Sequence, residues 1–322
     1  MNNLQKVPSV ALIIGSSGQL GSELASALLK ERPDQTLICS DLHQGTAPDG
    51  ALFETLDVLD KPRLEDMIKR YGIQEIYHLA AMLSAKGEQK PEMAWRLNME
   101  GLLNVLDLSV KHGVGRVFWP SSIAAFGPGT PRDLVPQWPV MDPRTVYGIS
   151  KLSGELWCQY YFQRFGLDVR SLRYPGIISW RTPPGGGTTD YAVEIFHEAL
   201  RTGAYTSFLQ AHTRLPMMFI DDAVRATLEL MRADGERLSV RTSYNITAMS
   251  FTPSELAEAI QSRLPDFQID YRADFRQAIA DTWPAVIDDQ VARLDWGWHH
   301  RYDLNALVDE MLTNLAAASV NS

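Results

Sequence analysis

An apolar run, Val10 to Ile14, leads without a spacer into Gly15, Ser16, Ser17, Gly18, Gln19, Leu20, Gly21, and a helix-period stretch, Leu20 to Lys30, begins inside that turn. Such a GxxGxxG turn leaves few choices of fold. Glycine allows the tight bend, lets the backbone approach a bound group, and lets helix and strand pack closely, while the first N–H groups of the helix face any anion lying there. Alone, the turn also fits a plain loop. Its surroundings argue otherwise. From residue 10 to about 175 the short runs Val10–Ile14, Thr36–Ser40, Ala51–Leu56, Glu75–Leu79, Arg116–Pro120 and Val169–Tyr174 alternate with the helical stretches Leu20–Lys30, Arg63–Tyr71 and Glu92–His112. That is the pattern of a parallel sheet covered by helices.

The predicted class is α/β: a Rossmann-type doubly wound parallel sheet over 8–175, and a smaller α/β substrate-binding lobe over most of 176–322, with a segment at about 210–235 returning to the first part. The crossing is marked by Pro175, Gly176, Pro183, Pro184, Gly185, Gly186 and Gly187, ahead of a helix at Asp190–Arg201. A later helix, Ser254–Arg263, has Thr252 and Glu255 at capping-box spacing around Pro253. The last helix runs from Asp303 to about Ala317 and ends in a small polar tail expected to fray.

The length of 322 residues suits two domains, and a net charge of −9 without a long basic run argues against nucleic acid and anionic lipid, leaving a small-molecule partner. Cys39 and Cys158 form no CxxC or zinc set, so no metal and a reducing compartment are expected. Met1 to Ser9 is polar and no run of 18 apolar residues occurs, so neither a signal peptide nor a membrane span is expected, and the cytoplasm is the predicted location.

Asp41 stands 20 residues after Gly21 at the end of the second apolar run, where a carboxylate can accept a ribose 2′-hydroxyl and repel a 2′-phosphate. No Arg or Lys lies in 39–47. NAD is therefore expected over NADP, the bland alternative being an Asp that merely caps a strand. Tyr147 and Lys151 are four apart, on one face of a helix. A nearby ammonium and a cationic ring both favour phenolate, bringing Tyr147 toward use as a base. Ser122, 25 residues upstream of Tyr147, follows a strand at the edge where α/β sites are built.

With Asp57, Val58, His78 to Ala81, Asn98 and the run Arg173, Tyr174, Pro175, these residues resemble the extended short-chain dehydrogenase/reductase family from residue 10 to about 300. The resemblance implies a Tyr147/Lys151/Ser122 catalytic set. It also implies cofactor contacts from Gly15, Gly18, Gln19, Leu20, Gly21, Asp41, Asp57, Val58, Leu79, Ala80, Ala81, Asn98, Ser121, Tyr147, Lys151, Pro175 and Ile177. Asn98 would position a relay water near Lys151. Phe126 departs from the family's usual tyrosine before the glycine of the serine loop.

Two longer strings, His78 to Lys86 and Arg173 to Ser179 continued by Pro184 to Ala192, are similar to the UDP-galactose-epimerase-like branch of this family that oxidises L-threonine at C3 to 2-amino-3-oxobutanoate. Three glycines before Thr188 and Thr189 would offer N–H groups and hydroxyls to a carboxylate, or a threonine simply caps the helix. The implied substrate contacts are Ser84, Ser122, Tyr147, Gly187, Thr188, Thr189, Arg181 and Trp283. Arg181 is also open to fixing its loop through an acidic partner, and Trp283 to packing in the core. His299 and His300 lack a third ligand and read as surface. Two other functions remain open at this point: a nucleotide-sugar epimerase or dehydratase, and a non-catalytic NAD sensor, against which the intact Tyr147/Lys151 pair counts.

A homodimer is expected from the helix carrying Tyr147. Tyr147, Lys151, Cys158, Phe162 and Phe165 fall in one sector toward cofactor and sheet, while Ile149, Leu152, Leu156 and Tyr160 make a second apolar stripe about 160° away. The resemblance implies that this helix and the 92–112 stretch pair with their copies, an isologous contact. Cover by the chain's own second lobe is the alternative.

Overall fold

The computed structural model describes residues 9–320. The first part consists of β1 (Val10–Ile14), α1 (Gln19–Glu31), β2 (Thr36–Asp41), β3 (Leu52–Thr55), α2 (Lys61–Tyr71), β4 (Glu75–His78), α3 (Ser84–Gln89), α4 (Pro91–Trp95), a π-helical turn at Arg96–Glu100, α5 (Gly101–His112), β5 (Arg116–Phe118), β6 (Ser121–Ser122), α6 (Val146–Phe165) and β7 (Asp168–Arg170). Six of its strands form a parallel sheet in the order β3-β2-β1-β4-β5-β7.

The period-2 alternation of β1 explains its central place. Ala11 and Ile13 pack with Leu24 and Leu28 of α1, whereas Leu12 and Ile14 pack with Leu64 and Met67 of α2 and Val105 of α5. A strand buried on both faces needs apolar residues at every position, as parallel sheets do.

The remainder continues as β8 (Leu172–Tyr174), β9 (Gly176–Ile178), α7 (Tyr191–Thr202), β10 (Ala204–Ser207), β11 (Leu215–Phe219), α8 (Ile220–Arg232), β12 (Tyr244–Asn245), β13 (Met249–Phe251), α9 (Pro253–Gln261), β14 (Gln268–Tyr271), α10 (Phe275–Ala280), α11 (Gln290–Trp296) and α12 (Leu304–Val320). These strands make small sheets, β12-β8-β6, β13-β11-β9 and β10-β14. The segment expected to return does so: α8 packs on α1, and Arg170 donates to the carbonyls of Leu230 and Ala233.

Two expected elements are divided. The run Val169–Tyr174 breaks at Ser171, because Asp168–Arg170 pairs with β5 while Leu172–Tyr174 pairs with β6 and β12. The stretch Glu92–His112 is interrupted by its π-helical turn, a wide turn that shifts the facing of the residues after it. The capping box of α9 is complete, with Glu255 N donating to Thr252 Oγ1 at 3.2 Å and Thr252 N to Glu255 Oε2 at 2.8 Å. Helix α12 continues to Val320, past the expected end near Ala317. Residues 1–8 and 321–322 lie outside the described residues.

Candidate active site

At the C-terminal ends of the parallel strands lies a cavity of about 290 Å³, where the glycine turn, the end of β6, the first turns of α6 and the stretch before α7 converge. Gly15 has φ +90°, and a Cβ there would meet Ala80 N at 2.7 Å. A Cβ on Gly21 would meet Gly15 O at 2.3 Å. Only glycine allows this close approach of helix, turn and loop. Asp41 ends β2 beside the turn, its Oδ2 accepting from Ser17 N at 3.0 Å and its Oδ1 from Leu42 N at 2.8 Å. A helix N-terminus open to the cavity, with a carboxylate at the next strand's end, fits a dinucleotide with a free ribose hydroxyl.

The serine, tyrosine and lysine meet here. Thr145 Oγ1 accepts from Gly148 N and so fixes the start of α6, and a Cβ on Gly148 would come within 2.1 Å of Ala124 O, so the helix rests directly on the turn after Ser122. Tyr147 and Ser122 both line the cavity. Lys151 Nζ donates to Pro120 O at 2.5 Å and lies 4.5 Å from the Trp119 ring centroid and 5.4 Å from that of Tyr147. Burial draws Lys151 down to about 7, with Glu155 on the same helix opposing that fall. Burial raises Tyr147 to about 12, and its hydrogen bond with Ser122 opposes that rise. The expected lowering of Tyr147 is thus absent from the protein without its cofactor: the loss of water around the phenol outweighs the attractive partners.

At the other end Ser84, Gly187, Thr188, Thr189, Asp190 and Trp283 line the cavity. Thr188 is 1% exposed and its Oγ1 has no partner, an orphaned hydroxyl beside the space a ligand would fill. The glycine amides differ from expectation. Gly186 N and Gly187 N donate to Asp190 Oδ2 at 2.7 and 2.8 Å, so a side chain of the same loop already occupies the N–H groups assigned to a ligand carboxylate. Arg181 also takes the other of its two roles: it lies outside the lining, pairing with Glu23 at 3.0 Å and Asp221 at 3.4 Å and stacking on Trp180. The two carboxylates outcompete an open cavity for the guanidinium.

Of the expected cofactor residues, Gly15, Gly18, Gln19, Leu20, Gly21, Leu79, Ala81, Ser121, Tyr147, Lys151, Pro175 and Ile177 line the cavity. Asp41, Asp57, Val58, Ala80 and Asn98 do not. Asp57 Oδ1 accepts from Leu59 N, and Val58 is buried with its carbonyl held by Asn104. The Asn98 side chain is clasped by both backbone groups of Met82 and by Ser150 Oγ, so it ties the loop after β4 to α6, beside Lys151 in sequence. Phe126 is buried under the Arg173 guanidinium, 5.4 Å away. His299 is exposed and turned to Gly297 O, and no group of potential metal ligands occurs among the described residues.

On α6 Cys158 is fully buried as expected, but Phe165 is 48% exposed, its ring set edge-on to Tyr160 and tilted against Tyr161. Of the second stripe Ile149, Leu156 and Tyr160 are exposed and Leu152 is half-buried, and the neighbouring Trp157 is exposed as well, so the chain's own lobe leaves most of this stripe uncovered. Sequence reasoning missed Asp190 and Glu155. For Glu155 the signal was present: Tyr147, Lys151 and Glu155 recur every four residues along one helix face.

The chain belongs to the NAD dependent epimerase/dehydratase family, whose profile matches residues 11–247, and it is an enzyme of that family. Among its relatives is the mitochondrial L-threonine 3-dehydrogenase of Bos taurus, 50% identical over 94% of this chain and 81% of its own. The holo form of the L-threonine dehydrogenase from Cupriavidus necator superposes with a TM-score of 0.93 at 54% identity, covering 96% of this chain and all of that one. A monomeric L-threonine 3-dehydrogenase from a metagenome gives 0.92 at 45% identity, over 96% of this chain and 99% of that one. Among the described residues no helix is long and apolar enough to cross a membrane.

Proposed function

We propose that the chain oxidises L-threonine at C3 to 2-amino-3-oxobutanoate, as a step of threonine breakdown, with NAD as acceptor. The observation that carries this reading is one cavity in which Ser122, Tyr147 and Lys151 face Thr188, whose buried hydroxyl lacks a partner; the likeness to L-threonine dehydrogenases supports it. The oxidation removes a proton from the C3 hydroxyl and a hydride from C3. NAD, when bound, supplies the hydride acceptor and a cationic ring. Gly15, Gly18 and Gly21 admit it, and Asp41 holds its adenosine ribose. Ser122 orients the substrate hydroxyl, Tyr147 takes its proton, and the Lys151 ammonium stabilises the resulting phenolate. Thr188, Thr189 and Ser84 hold the carboxylate and ammonium ends, and Trp283 shields them from water.

Residues 8–175 serve as the cofactor-binding part and 176–322 mainly as the lobe that closes the site. The assembly we propose is a homodimer through the exposed face of α6, to which Met93 and Trp95 of α4 add apolar area. Both cysteines are free and buried, in keeping with a reducing compartment such as the cytoplasm. The test is NADH formation with L-threonine, D-threonine, L-allo-threonine, L-serine and UDP-sugars. L-threonine alone or far ahead is expected; turnover of a UDP-sugar with none of L-threonine overturns the reading. Tyr147→Phe is expected to lower kcat by about 100-fold or more.

A further inference from the structure

Tyr147, Lys151 and Glu155 stand on three successive turns of one face of α6. The strand end opposite meets each of them in turn. Ser122 bonds Tyr147, the Pro120 carbonyl receives Lys151, and Ser121 Oγ donates to Glu155 Oε1 at 2.6 Å. Behind Ser121 the register of β6, β8 and β12 sets Ser121 beside Arg173 and Arg173 beside Asn245. Arg173 grips Glu155 with Nε at 2.9 Å and Nη2 at 2.7 Å, and its Nη1 donates to Gln137 O and Asn245 Oδ1. Both side chains are almost wholly buried, at 1% and 2% exposure.

A buried ion pair adds little net stability over apolar side chains of similar volume. What this one adds is fixed position: Ser121 joins the strand end to Glu155 on α6, Arg173 joins β8 to the same carboxylate, and its Nη1 joins β8 to Gln137 and to Asn245 of β12. Building on the dehydrogenase reading, we infer that Glu155 and Arg173 are positioning residues: they set the Pro120–Ser122 strand end against α6, and the Glu155 carboxylate, one turn along α6, favours the charged form of Lys151. The charged or titratable groups around Lys151 are Tyr147, Glu155 and Cys158 on its own helix, His78 at the end of β4, and Arg173 behind Glu155. Burial holds His78 at about 3, hence neutral, and drives the Cys158 thiol upward, hence also neutral. Glu155 is then the anion within reach.

The test replaces the pair by apolar side chains, Glu155→Met with Arg173→Met, so that neither charge is left alone. Two quantities are read: steady-state kinetics with L-threonine and NAD, and the Lys151 titration midpoint in cofactor-free protein labelled with ¹³C at lysine Cε, assigned with Lys151→Met. Expected are a kcat lower by about tenfold or more with both KM values within about threefold, and a Lys151 midpoint below that of wild type. A folded double variant with unchanged kcat, or with an unchanged midpoint, overturns the inference. Should the double variant not fold, Ser121→Ala decides, since it cuts only the Ser121–Glu155 bond. A lower kcat at constant KM, restored by Ser121→Thr, supports the inference, and any other result refutes it. Wild-type protein inert toward L-threonine would defeat the dehydrogenase reading, while the Lys151 midpoint would still decide this one.

Discussion

Replacing Lys151 by methionine is expected to make the protein more stable at neutral pH while abolishing its activity. The side chain is 2% exposed, and burial lowers its pKa from 10.5 to about 7. At ~1.4 kcal/mol per tenfold change in proton affinity, carrying the proton at pH 7 costs the folded state up to about 5 kcal/mol. Methionine fills similar volume without that cost but leaves Pro120 O without its donor, a loss of ~1–3 kcal/mol. The net gain is about 2–4 kcal/mol, or roughly 3–6 °C in Tm for a chain of this length. Its pH dependence has a definite sign. Between pH 7 and 10 the unfolded chain holds a proton that the folded chain has released, so wild-type stability rises with pH by up to ~1.4 kcal/mol per unit and the variant's advantage shrinks. Below pH 7 both states hold the proton, and the gap is constant. Denaturant melts of both proteins from pH 6 to 9.5 measure it. A variant less stable than wild type at pH 7, or a gap that stays level to pH 9.5, refutes the reasoning.

Gly21→Ala should cost about 2 kcal/mol or more and weaken NAD binding, because its Cβ would lie 2.3 Å from Gly15 O; thermal melts and NADH titration check both. Asp41→Ala should narrow the preference for NAD over NADP in kcat/KM by about tenfold or more, and equal use of the two by wild type would show that this carboxylate does not face the ribose. Thr188→Ala should raise KM for L-threonine severalfold and leave KM for NAD unchanged, read by initial rates. Leu152→Glu with Leu156→Glu should yield a particle near the 36.1 kDa chain mass by light scattering, against about twice that mass for wild type.

The parallel sheet was legible because β1 is apolar at every position and its neighbours largely so, and the meeting of Ser122, Tyr147 and Lys151 at one cavity because a strand end and one face of a helix place them there. Glu155 and Arg173 were not legible as partners. Charged residues read as surface until the pairing of β6 with β8 is known, and that pairing depends on the break at Ser171, which no local pattern announces. Phe165 misled for a related reason: helical phase gives its direction, but not what stands opposite it, and its ring meets Tyr160 and Tyr161 at the surface. Asp190 was passed over because the three glycines ahead of it offered a simpler destination for their own amides.

The Asp190 clasp has a consequence for how a ligand is received. With two amides of the 185–187 turn gathered by one carboxylate, this part of the turn next to Thr188 and Thr189 has its hydrogen bonds made within the chain, before any ligand is present. Less disorder remains to be removed on binding. Under the function proposed above, selectivity among small amino acids would rest on the shape of this preformed end wall rather than on a segment that moulds itself to each ligand.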